Sequence, residues 1–413
     1  MGVVRFGRRG AVATVAAIMV VGGLGACSSS KKSSGGTSAS AGAGTSTAAA
    51  TTSASTAAGT TGTKPAAQAQ SAADLGGMTG LIAAAKKEGK LNIIAVPRTW
   101  AGYGAIIDGF AAKYGIKITS ENPGGASGDE INAIKTTKGQ ASAPDVVDVG
   151  NSYAIQGAQD GLFAPYKVAS WADIPAGQKD PGGLWFSDYG GYISIGCNAA
   201  KVGGTCPKTI KELDNPAYKN KVALNGDPTS ANAAFEAVWA AALANGGSAT
   251  NIQPGIDFFH KLNKAGIFNK TKVTPATVQS GVTPIVLDWD YLNVGEAATL
   301  KKSGITWTTT DPADGLVSAY YAQAISANAA HPAAARLWEE YLYSQAPTAG
   351  QNGWLKGFAR PVTLVAMQKA GTADKAANAL LPKVNDPKPF LPTQDQITKA
   401  KNTVTQNWAK AVG

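Results

Sequence analysis

The chain has 413 residues, 44% of them hydrophobic, with two histidines, three cysteines and a formal net charge of +10. The length allows two or three domains with a sizeable core, while so few His and Cys leave almost no material for a Cys/His zinc site or a Ser-His-Asp triad. Six positive charges, Arg5, Arg8, Arg9, Lys31, Lys32 and Lys64, precede the first acid, Asp74. Removing them from +10 leaves +4 and no basic stripe that would suit nucleic acid.

Arg5, Arg8 and Arg9 form a positive start, and residues 11–24 an apolar stretch too short and too rich in small residues for a membrane span. Leu24-Gly25-Ala26-Cys27 closes it and resembles the bacterial lipobox, implying a lipoprotein signal over residues 1–26 and lipid attachment at Cys27. An ordinary cleaved signal with an incidental cysteine is the plain alternative. Arg8-Arg9 leaves the export route open, although the residues around the pair fit a twin-arginine signal poorly. Residues 28–73 contain only Ser, Thr, Ala, Gly, Lys, Gln and Pro. With no branched aliphatic or aromatic side chain to bury, residues 27–73 read as a disordered tether with an end-to-end distance of about 35–40 Å. Export also interprets the other cysteines: Cys197 and Cys206 are the remaining pair, and a local disulfide is expected.

From Asp74 the chain alternates helix and strand. Residues 81–87 have helical spacing ended by Gly89, and 91–96 form a short apolar strand bounded by Pro97. A helix over 105–114 stops at Gly115, and a strand over 116–119 follows. Ser127 with Glu130 suggests a capping box, and 145–149 is a buried strand. Past a Gly- and Trp-rich stretch, 192–196 and 222–224 read as strands. Asp227-Pro228 reads as the capped start of a helix closed by Asn245-Gly246-Gly247. A helix at 256–262, strands at 284–288 and 316–325, and a helix opening at Pro332 complete the pattern. Such alternation predicts an α/β fold with mostly parallel sheets flanked by helices.

Several segments carry a family resemblance. They are Leu81-Ile82-Ala83-Ala84-Ala85-Lys86-Lys87-Glu88-Gly89, Ala143-Pro144-Asp145-Val146-Val147-Asp148-Val149-Gly150 and Gly161-Leu162-Phe163-Ala164-Pro165-Tyr166, then Ser280-Gly281-Val282-Thr283-Pro284-Ile285 and His331-Pro332-Ala333-Ala334-Ala335-Arg336-Leu337-Trp338-Glu339-Glu340. In this order, behind a lipobox and tether, the sequence resembles the extracellular solute-binding lipoproteins of bacterial ABC importers, in the iron/polyamine/phosphonate-type branch of periplasmic binding proteins. The resemblance spans residues 78–412. It implies a type II two-lobed fold: lobe 1 over 74–190, lobe 2 over 191–317, and a return crossover with C-terminal helices over 318–413. It further implies a ligand cleft between the lobes, no enzymatic activity and no cofactor. The protein would be a monomer, lipid-anchored outside the cell membrane, delivering a small solute to permease subunits.

Candidate ligand residues lie where strands end, since open α/β sheets bind ligands beyond their carboxyl ends. Trp100 and Tyr103 resemble the Trp-x-x-Tyr pair of polyamine binders, and aromatic faces suit an amine; the neighbouring Arg98 would suit a carboxylate or phosphonate. Gly124-Gly125 ahead of a helix could cradle an anion. Tyr153 resembles a ligand-contacting tyrosine of the family, and Asn151 could bond a polar head. Asp227 resembles the second-lobe carboxylate of polyamine binders, or is a plain helix cap. Trp289 matches a position that lines the family's site, and Asp290 beside it is a candidate ammonium partner. Strand alternation puts Trp289 and Tyr291 on one side. Where polyamine binders carry an acid, this chain has Tyr321, which weakens the polyamine reading. Tyr320-Tyr321 also raises ferric iron as an alternative, though the pair matches no iron motif in position. An amine-, aminophosphonate- or polyamine-like solute is the leading expectation. An exported hydrolase is the runner-up from another class, although His260 and His331 are badly placed and Asp288 with Asp290 are same-strand neighbours; a cell-wall structural lipoprotein, with no cleft of convergent polar groups, is the third.

Overall fold

Glycine marks where the first two helices stop. In the computed structural model, which describes residues 63–386 and 390–413, α1 (Gly77–Glu88) ends at Gly89 and β1 (Lys90–Ile94) follows. Then α2 (Tyr103–Tyr114) ends at Gly115, and both terminal glycines have φ 69°, a left-handed conformation that suits glycine. The chain continues through β2 (Lys117–Glu121), α3 (Ser127–Thr136), β3 (Val146–Gly150), α4 (Asn151–Gln159), β4 (Phe163–Ala164) and the long strand β5 (Phe186–Cys197). Next come β6 (Val222–Leu224), α5 (Asn232–Ala244), α6 (Gln253–Lys264), α7 (Pro275–Ser280), β7 (Ile285–Trp289), α8 (Asp290–Lys301), β8 (Thr308–Thr310) and β9 (Ser318–Ser326). The C-terminal part holds α9 (Pro332–Leu342), α10 (Gly350–Lys356), β10 (Arg360–Pro361), α11 (Leu364–Ala370), α12 (Lys375–Ala379) and α13 (Gln394–Val412).

β1 and β2 form a parallel pair. The main sheet runs β3-β9-β5-β7-β6, with β4 on β9 and β8 and β10 on β5. Two strands serve both ends of it. The first part of β5, from Phe186 to Tyr192, pairs with β9, and its second part, from Ile193 to Cys197, pairs with β7. The expected mostly parallel sheets are corrected by this arrangement. Only β1–β2 and β6–β7 are parallel, because β5 and β9 run against every strand they meet.

The core forms around these strands. Every residue of α5 except Leu243 is buried, as is α9 from Ala333 onward, and both helices are alanine-rich enough to pack closely. The carboxylate of Glu88 accepts the Ala333 and Ala334 N–H groups at 3.0 and 2.8 Å, satisfying two donors at the start of α9. Cys197 and Cys206 form the expected disulfide, with Cα atoms 6.0 Å apart. Among the described residues, no helix is long and apolar enough to cross a membrane.

Three local expectations change. Residues 63–73, assigned by composition to the tether, are held in place. Buried Arg336 donates to the carbonyl oxygens of Ala69 (2.7 Å) and Ala67 (3.1 Å), and Lys167 N–H donates to that of Gln70 (2.8 Å). Backbone acceptors serve here where apolar side chains are lacking. Ser127 is the first residue of α3 rather than its cap, and the Ala126 N–H donates to Asp129. Asp227-Pro228 opens a turn rather than a helix: Asp227 accepts from the Thr229 N–H (2.7 Å) and hydroxyl (2.5 Å), and α5 starts only at Asn232. The signal, Cys27 and the remainder of the tether lie outside the described residues.

Candidate functional site

The carboxyl ends of β1, β3, β6 and β7 lead into the loops and helix starts that carry the sequence-derived candidates. Four candidates belong to one aromatic cluster. Trp100, half-buried after β1, meets Tyr321 of β9 edge-on with ring centroids 5.9 Å apart. Tyr321 also lies 6.0 Å from Trp289, whose indole N–H donates to the Tyr321 hydroxyl at 3.4 Å. Tyr189 of β5 stacks on Tyr321 at 5.7 Å and meets Tyr103 edge-on at 5.9 Å. Tyr103 is the first residue of α2 and points into the core, 1% exposed, instead of sitting in an open loop. Trp289 and Tyr291 do share a side, with rings stacked at 6.1 Å, but the chain turns from strand to helix between them.

Beneath the aromatics lies a buried polar floor. The hydroxyls of Tyr103 and Tyr189 donate to Asp148 Oδ2 at 2.7 and 3.1 Å. The Gln323 side-chain amide donates to Tyr103 Oη at 3.0 Å and to Asp188 at 2.8 Å. Burial pushes the Asp148 carboxyl up to about 7, and burial likewise raises Asp188, Glu130 and Glu339 well above the usual carboxylate range. Desolvation favours the neutral acid, which the surrounding apolar core tolerates.

Tyr153 stands apart from the aromatics. Its hydroxyl donates to the Thr229 carbonyl at 2.7 Å and receives a bond from Lys401 of α13 at 2.6 Å. Lys401 also donates to the carbonyls of Pro228 and Thr229, both at 3.0 Å, and burial lowers its amine to about 7. Asn151, at the start of α4, accepts a 3.4 Å bond from the Ser187 hydroxyl. Gly150 just before it is the ladder partner of Tyr321, so the start of α4 adjoins the aromatic cluster.

Three charged candidates are engaged elsewhere. Asp290 is fully buried but pairs with Arg360 at 2.6 Å and accepts the N–H groups of Tyr192 and Tyr291, leaving no free carboxylate for an ammonium. Arg98, in the loop after β1, is exposed and paired at 2.6 Å with Asp108, an exposed acid of α2. Asp227 is exposed and spends its carboxylate on Thr229. Gly124 is exposed at the loop tip rather than forming a cradle. Tyr320 and Tyr321 are strand neighbours and so face opposite sides. Among the described residues, no group of three or more His, Cys, Asp or Glu is placed to hold a metal ion. His260 bonds the Ala411 carbonyl and His331 bonds Asp145, both away from the cluster.

Sequence reasoning missed Tyr189, Gln323 and Arg360. Gln323 carried a signal, as a polar residue in the apolar run of β9, and Arg360 carried none. Two surface depressions, of about 540 and 660 Å³, lie around Lys211 and Asp214 and include none of these residues.

The sequence family described as bacterial extracellular solute-binding protein matches residues 141–391. Among solved structures, the periplasmic binding protein AfuA from Actinobacillus pleuropneumoniae, with exogenous fructose-6-phosphate bound, is similar with TM-score 0.63 and 19% identity. That match covers 78% of this chain and 98% of AfuA. The periplasmic binding protein P5PA gives TM-score 0.59 at 20% identity over 79% and 100%. Iron-bound HitA from Pseudomonas aeruginosa gives 0.55 at 20% over 78% and 99%. These likenesses show the fold, which is the type II periplasmic-binding-protein fold. No curated protein sequence matches the chain.

Proposed function

Since the chain belongs to the bacterial extracellular solute-binding family, we propose that the cluster of Trp100, Trp289 and Tyr321 beside the start of α4 is where it holds its solute. The protein is the substrate-binding component of an ABC transporter, an extracytoplasmic carrier rather than an enzyme, and serves permease subunits. Its solute is a small organic molecule, covered by these aromatics and reached by Asn151. Tyr103 and Tyr153 act from behind, through Asp148 and Lys401. The observation that carries this reading is the meeting of three aromatics from three separate segments at the carboxyl ends of β1 and β7 and on the shared strand β9.

The lobes fit the same proposal. Lobe 1 over 74–190 and lobe 2 over 191–317 divide at Gly190-Gly191, close to where β5 changes partners from β9 to β7. A lipid at Cys27 would hold the monomer at the membrane surface.

Thermal unfolding of the full chain against polyamines, aminophosphonates, thiamine and ferric chelates tests the site. A true solute at 100-fold its dissociation constant adds about 2.7 kcal/mol. Trp100→Ala removes a half-buried ring and should weaken that solute roughly five- to thirty-fold without unfolding the protein. An unchanged affinity would move the solute elsewhere.

A further inference from the structure

The last helix is fastened to α6 near its C-terminus. Trp408 of α13 meets Phe259 of α6 edge-on at 5.5 Å, Asn407 donates to Gln253 at 3.2 Å, and the Ala411 carbonyl bonds His260 at 2.6 Å. About two turns earlier, the same helix grips a different part of the molecule. There Lys401 donates to the Tyr153 hydroxyl of α4 at 2.6 Å and to the Pro228 and Thr229 carbonyls, both at 3.0 Å. Its amine also stands 4.3 Å from the centre of the Tyr153 ring and 5.3 Å from that of Phe235 in α5. One side chain therefore ties α13, α4 and the turn ahead of α5 together. In the lobe division proposed above, α4 lies in lobe 1, whereas α6 and the turn lie in lobe 2.

The partners of Lys401 are two carbonyls and a hydroxyl, with no carboxylate among them. An ammonium fills all three places, and a neutral amine with two N–H groups can still serve both carbonyls. Burial lowers the amine to about 7, with Asp227 of the turn and Glu236 of α5 opposing the shift. Glu236 is itself raised to about 8 by burial. From α4 the facing group is Tyr153, on which Asp129 of α3 also acts. His260 of α6 lies at the far end of α13, by Ala411.

We propose that α13 is a clasp beside the solute site and Lys401 its bolt, which holds α4 against the 227–230 turn and must withdraw before the two can part. The clasp stands on these contacts alone, while its part in admitting and releasing solute rests on the carrier reading. Withdrawal returns the amine to water and to its ordinary 10.5, so between about pH 7 and 10 withdrawal takes up a proton. With the lower value in the engaged form, the clasp tightens as pH rises through this window and loosens as pH falls toward 7.

Hydrogen exchange of the full chain, read peptide by peptide by mass spectrometry, tests both parts. The quantity is the ratio of Lys401→Met to wild type at pH 6 and 8, in which intrinsic exchange and the titration of Glu236 cancel. Methionine makes none of the three bonds and takes no proton. At pH 8, residues 227–231, the first turns of α4 and residues 397–404 should exchange roughly tenfold or more faster in the variant. At pH 6 the wild-type clasp is itself loose, and the ratio should be about tenfold smaller. The β1–β2 pair should exchange alike in both proteins. Tyr153→Phe removes one hydroxyl and keeps the ring; it should loosen the same three segments several-fold, and it decides the matter if Lys401→Met fails to fold. Exchange raised evenly over the whole chain in Tyr153→Phe, or no local change in either variant, would make these contacts ordinary packing and overturn the clasp. A local effect with the same ratio at pH 6 and 8 would overturn the titrating bolt. Neither result bears on the solute site, which stands or falls on the solute panel.

Discussion

Replacing Asp288 by Asn should make the protein more stable at pH 8 and slightly less stable at pH 4. Asp288 sits near the end of β7, 7% exposed. One carboxylate oxygen accepts the Trp289 N–H at 2.8 Å and the other accepts from Asn225 at 2.9 Å. These two bonds do not compensate for lost hydration, and burial raises the carboxyl from 3.8 to about 7. A folded-state value above the unfolded one means that stability is full below about pH 4 and falls as pH rises through 7. The folded chain then holds a proton that the unfolded chain has released. At about 1.4 kcal/mol for each tenfold change in proton affinity, the loss amounts to about 4 kcal/mol. Asparagine keeps an oxygen for the Trp289 N–H, and Asn225 can turn its own amide to accept from the new one, so about 1 kcal/mol of local cost is expected. Urea unfolding of both proteins at pH 4, 6 and 8 isolates the effect, because Asp148 and Glu236 titrate in both and cancel in the difference. The variant should be about 1 kcal/mol weaker than the wild type at pH 4 and about 3 kcal/mol stronger at pH 8. A difference that stays constant with pH, or a variant weaker at pH 8, would refute the reasoning.

Arg360→Met should cost about 3–5 kcal/mol in the same assay, because it strands the buried Asp290 carboxylate; adding Asp290→Asn should recover much of that loss. Cys27→Ser should release the protein from the membrane fraction or leave it as an unprocessed precursor, and fractionation identical to wild type would remove the lipid anchor.

Elements with a single strong period were legible in the sequence. The helix from Pro332 and the strand ending at Gly150 rest on uninterrupted apolar patterns with clear stop signals, and their observed positions agree within a residue or two. The length of β5 was not legible, because Gly190 and Gly191 look like a break. Their reason is spatial: a Cβ at Gly191 would stand 2.3 Å from Asp290 Oδ1, and one at Gly190 would stand 2.3 Å from the Ala319 carbonyl. Aromatic candidates were legible by residue type, since large rings at strand ends have few other uses. The fate of the charged candidates was not, because an aspartate's partner lies far along the chain. Arg360 follows Asp290 by 70 residues, and no local pattern marks it.

The shared strands also fix the order in which the molecule can be completed. Val146 of β3 finds its ladder partner at Ile325, and the first part of β5 needs the same strand. Until residues 318–326 have emerged, the sheet lacks the strand that joins β3 to β5, and the apolar edges of both lie open. Pairing across such sequence distances is slow, since the loop must close before the contacts reward it. A chain passed through a membrane from its N-terminus would therefore stay incomplete for most of its passage. A truncation before Ser318 would leave both ends of the sheet without their common strand instead of trimming one domain.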